Sequence, residues 1–186
     1  MNPIKNKKNL ETLVDEIRNY AYSYIEKYSP SKQQLRIYLF KKLIKKDKKT
    51  INKKEIFNLI DTVIISLIDK KFLSDEYYSD AKSKVFYKRG YSLNKIRYNL
   101  IKKGIDQKYI KASISKIKEN ESDPDFFSAI KICKKKRIGP ARDENNRPLF
   151  YKKDIGVLAR SGFNFEVSKR VMDLDKDEYI KIISLL

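Results

Sequence analysis

Ser31, Leu35, Arg36 and Leu39 recur as Ser92, Ile96, Arg97 and Leu100, each pair 61 residues apart. In both copies a side-chain oxygen stands where a helix can begin, and apolar residues at helical spacing follow on one face. The second copy runs on as Leu100-Ile101-Lys102-Lys103-Gly104-Ile105, and this string overlays Leu158-Ala159-Arg160-Ser161-Gly162-Phe163 at an offset of 58. A glycine placed directly after an amphipathic run is a helix stop, because it takes the left-handed backbone of that position without strain. The recurring grammar is helix, sharp turn, helix. A period of about 60 residues exceeds that of most solenoid repeats and fits a unit of three helices.

The first helices of the units support the same division. Asp15-Glu16 stands six residues before Ala21, as Asp75-Glu76 does before Ala81 and Asp123 before Ala129. After a basic, flexible N-terminus (1–10), the boundaries read as three-helix repeats over 11–72, 73–121 and 122–174, followed by a helix over 175–186. In the first repeat Ser29-Pro30 ends one helix, Leu35, Leu39 and Leu43 form the stripe of the next, and a lysine run from Lys45 to Lys49 follows it. Ile56, Leu59, Ile60, Val63, Ile64, Leu67 and Ile68 then keep one helical face for over three turns. In the second, Ser74 caps a helix whose Tyr78, Ala81 and Val85 point inward, with small Ala81 marking a close helix crossing. The third departs from the pattern with a polar loop over 138–150 that carries Arg142 and Arg147, so that its middle helix runs from Lys152 to Arg160. Nothing alternates with period two, so the fold class is all-α with essentially no sheet.

Composition bounds what such a chain can do. Lys and Arg number 43 against 24 Asp and Glu, a formal net charge of +19 that points to an acidic partner. Since 34 of the 43 are Lys, in a chain also rich in Ile, Asn and Tyr, an AT-rich genome accounts for part of that excess. Cys133 is the only cysteine, which excludes an internal disulfide or a multi-thiolate metal site and suits a reducing compartment. No window is apolar for long enough to span a bilayer, and a cytoplasmic monomer is expected. The sequence contains no His, which removes the commonest general base and the usual triads, and no Walker-type glycine loop. Asp173, Asp175, Asp177 and Glu178 mimic the start of a calcium loop, but Glu178 stands where glycine is required and Ser184 where the bidentate Glu belongs. A helix N-terminus is the simpler account of those acids, and neither catalysis nor a cofactor is expected.

The order and spacing of Phe72-Leu73-Ser74-Asp75-Glu76-Tyr77-Tyr78-Ser79-Asp80-Ala81, of Arg97-Tyr98-Asn99-Leu100-Ile101-Lys102-Lys103-Gly104-Ile105-Asp106, and of Leu158 to Phe163 with Val171 behind it resemble the RecX family of recombination regulators. The resemblance covers the chain from Leu35 to Asp173, and Lys136-Arg137-Ile138-Gly139-Pro140 resembles a variant with a longer third repeat. It implies an elongated, curved rod of tandem three-helix repeats that binds RecA, chiefly as the filament on single-stranded DNA. There it would limit filament extension, strand exchange and ATP turnover, within DNA repair and the SOS response.

The candidate contact residues are cationic. Arg36 and Arg97 each follow an inward apolar residue, so their stems pack at the edge of the buried stripe while the guanidinium either pairs with a neighbouring helix or faces a partner. Lys102, Lys103, Lys134, Lys135, Lys136, Arg137, Arg142, Arg147 and Arg160 lie near helix ends or in the third-repeat loop. They are either a solvated face or one side of a rod laid along a negatively charged groove. Gly104 and Gly162 read as structural stops. The competing function is a sequence-independent DNA-binding protein whose helix-turn-helix units contact phosphates directly.

Overall fold

A computed structural model describes residues 3–46 and 52–185. Among these the chain forms ten α-helices, two short 3-10 turns and no strand. The helices are α1 (Pro3–Tyr28), α2 (Lys32–Lys46), α3 (Lys53–Asp69), α4 (Asp75–Lys88), α5 (Leu93–Lys102), α6 (Gln107–Asn120), α7 (Pro124–Lys136), α8 (Arg147–Arg160), α9 (Phe165–Met172) and α10 (Lys176–Ser184). Of the lysine run after Leu43, residues 47–49 lie outside the described residues. So do Met1 and Asn2, whereas α1 starts at Pro3, ahead of the sequence-predicted Glu11. No described helix is long and apolar enough to cross a membrane.

The chain divides into two compact units, one made of Met1–Tyr78 with Lys103–Asp106, the other of Ser79–Lys102 with Gln107–Leu186. In the first, the stripes of α1, α2 and α3 meet: Ile17 and Ala21, Leu35 and Leu39, and Ile60 and Ile64 are completely buried. Tyr24 stacks on Tyr38 and Phe40 on Phe57, with centroids 4.0 and 4.1 Å apart, which closes the flanks of that core. Ile68, at the end of the predicted stripe, faces outward. In the second unit Ile96 and Leu100 of α5 are buried, as are Ile110 and Ile114 of α6. Ile130 and Cys133 of α7, Leu158 of α8 and Val171 of α9 form a further buried cluster.

One local arrangement occurs twice. Ser31 is fully buried and its hydroxyl accepts the Gln34 N–H at 3.2 Å, capping α2, while donating to the Lys103 carbonyl at 2.7 Å. The next residue, Lys32, donates its N–H to the Asp75 carboxylate at 2.8 Å. In the second unit the Ser92 hydroxyl likewise accepts the Lys95 N–H at 3.1 Å and donates to the Ser161 carbonyl at 3.1 Å, and the Leu93 N–H meets the Asp125 carboxylate at 2.7 Å. Burial pushes both carboxyls above the usual range, opposed by the N–H bond that each accepts. Each accepting carbonyl precedes a stop glycine with left-handed φ, 73° at Gly104 and 91° at Gly162. A Cβ on Gly104 would collide with Gln33, and one on Gly162 with Ser92 Oγ.

The second unit departs from the sequence reading in two places. On α4, Val85 is 40% exposed and Ala81 half-buried, while Ser79 and Ser83 are buried. The helix turns this way because its serines carry their own partners inward: Ser83 Oγ donates to the Ser79 carbonyl at 2.6 Å, and Ser79 Oγ contacts Ser113 Oγ at 2.8 Å. The serine pair places α4 against α6 at that point. The predicted loop over 138–150 is also mostly ordered into the turns Gly139–Ala141 and Glu144–Asn146, and α8 begins at Arg147, five residues ahead of Lys152. Pro148 lies in the first turn of α8, where it has no helical N–H bond to lose.

Replacing Ser92 with Ala removes a cap and strands the Ser161 carbonyl in the interior. It is expected to cost about 1–3 kcal/mol, seen as a lower urea midpoint at unchanged slope.

Candidate interaction surface

With Ile96 and Leu100 turned inward, the 3.6-residue period puts Asn94, Arg97, Tyr98, Ile101 and Lys102 on the opposite side of α5, and all five are exposed. Tyr98 is 56% and Ile101 46% exposed, so an aromatic ring and an aliphatic side chain stand one turn apart on the outer face. The Lys102 ammonium lies 4.6 Å from the centre of the Tyr98 ring, a cation-π contact that steadies the ring. Arg97 has no ion-pair or hydrogen-bond partner among the described residues. The result is a short stripe of apolar surface flanked by unneutralised positive charge.

Its counterpart on α2 is built differently. Arg36 donates to the Asp61 carboxylate at 2.6 Å and lies over the Phe57 ring at 5.0 Å, so its charge is used within the first unit. Asp61 is nine residues past Asn52, which caps α3; nine residues past Asp106, which precedes α6, stands Ser115. A serine supplies no carboxylate, and Arg97 is left facing solvent. The structure therefore separates two arginines that the sequence presents as equivalent.

Six of the remaining candidate cations are exposed. Lys134, Lys135, Lys136 and Arg137 are exposed at the end of α7, where the helix dipole favours positive charge. Arg137 takes a left-handed φ of 54°, and the Ile138 N–H then closes back on the Cys133 carbonyl at 3.1 Å. Arg160 is exposed at the end of α8 and folds back over Gly156, where an added Cβ would lie 3.3 Å from its Nη1. One residue further on, Ser161 receives the Ser92 hydroxyl. Lys103 is exposed in the first unit, and its carbonyl accepts from Ser31.

Arg142 and Arg147 have interior duties. Arg142 grips the buried Asp154 with two hydrogen bonds, at 2.6 and 3.0 Å, and Asp154 also accepts the Gly139 N–H at 2.9 Å. The Arg142 guanidinium stands 4.4 Å from the Phe150 ring centre. Arg147 donates to the carbonyls of Met172 and Leu174, satisfying the end of α9. Burial by itself would raise the Asp154 carboxyl, but the Arg142 pair and the Gly139 N–H outweigh it and hold the group below the usual range. Burial, reinforced by the Asp154 charge, pushes the Cys133 thiol up to about 12, so it is no thiolate nucleophile at neutral pH. The acids before α10 form a capping box, in which Asp175 accepts the Glu178 N–H at 2.7 Å and the Glu178 carboxylate accepts the Asp175 N–H at 3.4 Å.

Against known proteins, the chain is 28% identical over 160 residues to the regulatory protein RecX of Myxococcus xanthus (strain DK1622). The match covers 84% of this chain and 84% of that relative. It therefore spans both units. No family model and no solved structure matches the chain. Neither Tyr98 nor Ile101 was singled out as a contact residue from the sequence, although the helical period that buries Ile96 and Leu100 already turns both outward.

Asp154→Ala leaves Arg142 and the Gly139 N–H without their acceptor and is expected to cost about 3–5 kcal/mol. Because the folded carboxyl is lowered, the wild-type contribution is fully present above the unfolded value of about 4. It is lost as pH falls through the lowered folded value. Denaturation curves at neutral and acid pH should show the gap between wild type and variant closing only on the acid side.

Proposed function

We propose that this chain is a RecX-type regulator: a non-catalytic tandem of three-helix repeats that binds RecA on single-stranded DNA and hinders filament extension, strand exchange and ATP turnover. The observation that carries this reading is the similarity to a RecX protein over most of both lengths. The outer face of α5 is the contact surface. Arg97 and Lys102 offer charge to carboxylates or phosphates, and Tyr98 and Ile101 offer apolar area, a combination that suits a protein partner of acidic character. Regulation follows from differential affinity, since only tighter binding to one filament state shifts the balance between states. Bridging successive protomers would favour the state that neither grows nor turns over.

The doubly changed variant Arg97→Glu with Lys102→Glu is expected to weaken inhibition of RecA ATP hydrolysis on single-stranded DNA by at least about tenfold in half-maximal concentration, with helicity unchanged. Tyr98→Ala should weaken it at all salt concentrations, because its contribution is apolar, while the wild-type effect itself declines as salt rises. Inhibition of undiminished potency in the charge-reversed variant would place the contact elsewhere. The net charge of +19 favours a second reading, sequence-independent DNA binding through phosphate contacts. Equal affinity for bare single-stranded DNA and for the RecA filament at moderate salt would select it.

A further inference from the structure

Within the second unit α4 and α6 touch through small residues and then part. Ser79 and Ser113 meet at 2.8 Å, and both hydroxyls also reach the Tyr109 carbonyl, at 3.2 and 2.9 Å. Past that contact the pair opens into a cleft of about 150 Å³, walled largely by Tyr87, Ile117 and the alkyl stems of neighbouring side chains. An apolar space of that size takes up a benzene ring. Lys84, Lys88 and Lys116 stand around it, with Glu121 the acid among the lining residues.

The groups at this cleft are not used up by the fold. The Tyr87 hydroxyl is buried and has no hydrogen-bond partner among the described residues, and an unmade buried bond calls for an explanation. Burial, reinforced by Glu121, Asp125 and Asp123, pushes that phenol up to about 12, so it stays a neutral donor at physiological pH. The Lys131 ammonium, 5.2 Å from the ring centre, covers the Tyr87 ring from α7. Lys84 and Lys116 share the Asp80 carboxylate at 3.5 and 3.2 Å, exposed lysine contacts of the kind that exchange readily. Lys88 is exposed and has no ion-pair partner among the described residues.

We propose that this cleft docks a protein segment in which one large apolar or aromatic side chain is flanked by carboxylates. The side chain lies between Tyr87 and Ile117, and the carboxylates pair with Lys84, Lys88 and Lys116. A nucleobase is the poorer occupant, because it would bury ring nitrogens and carbonyls against walls that offer few partners. This docking is independent of the filament reading.

Fluorescence anisotropy on the full chain tests it, with a labelled peptide of Asp, Glu and Gly carrying one central Phe, the same peptide with central Ala, and a labelled oligo-dT. The Phe peptide should bind at least about tenfold more tightly than the Ala peptide. Lys88→Glu should weaken that binding by about tenfold with the helical circular dichroism unchanged. No binding of the Phe peptide, equal binding of the Phe and Ala peptides, or an unaffected Lys88→Glu variant would overturn the proposal. Displacement of the Phe peptide by oligo-dT, with oligo-dT binding lost in Lys88→Glu, would overturn it in favour of a nucleic-acid site.

Discussion

The arrangement on which the described structure depends is a buried serine hydroxyl used twice. A hydroxyl carries one donor and two acceptor positions, and Ser31 and Ser92 each spend an acceptor on the first turn of their own helix and the donor on a carbonyl at the end of another. A carbonyl at a helix end has no partner within its helix, and the serine supplies one. The stop glycine is the other half of the joint. Its left-handed backbone turns the chain away after the accepting carbonyl, and its bare Cα leaves room for the incoming helix start, where Gly162 has Ser92 Oγ in the position a Cβ would need. Serine and glycine recur together because each is the condition for the other.

The same framework gives its arginines different work. On α2 the guanidinium of Arg36 is held by Asp61 and Phe57, whereas on α5 Arg97 projects from an equivalent place beside exposed Tyr98 and Ile101. In the segment around α8, Arg142 and Arg147 turn inward, Arg142 donating to the buried Asp154 carboxylate and Arg147 to the carbonyls at the end of α9. Positive charge in this chain is therefore not one surface property. Some of it balances helix ends, some holds a buried carboxylate, and the α5 stripe is what remains uncommitted next to exposed apolar area.

The apolar spacing made the helices and most of their inward faces readable, since Leu35 with Leu39 and Ile96 with Leu100 repeat at helical spacing and are buried in both units. The reading failed where polar residues were used as interior ones. Ser79, Ser83 and Ser113 look like surface residues in a hydropathy pattern, yet each is buried because its hydroxyl finds a carbonyl or another hydroxyl. That rotation of α4 is what put Val85 outside. The loop expected over 138–150 failed in the opposite direction, since α8 already begins at Arg147 with Pro148 in its first turn. On the candidate surface, Arg97 and Lys102 were legible as cations, but the partnering that separates Arg97 from Arg36 depends on Asp61, 25 residues further along the chain.

By itself the sequence determined the helical class, the stop glycines, the cap serines and the absence of histidine chemistry, because each follows from local geometry or from residue inventory. Tertiary structure alone decided which cations are free, which serines are interior, and where α4 and α6 separate to leave an apolar cleft. The physical reason is range. Caps and stripes are settled within a turn or two of helix, whereas the fate of a charge or a hydroxyl is settled by whichever distant group the packing brings within hydrogen-bond reach.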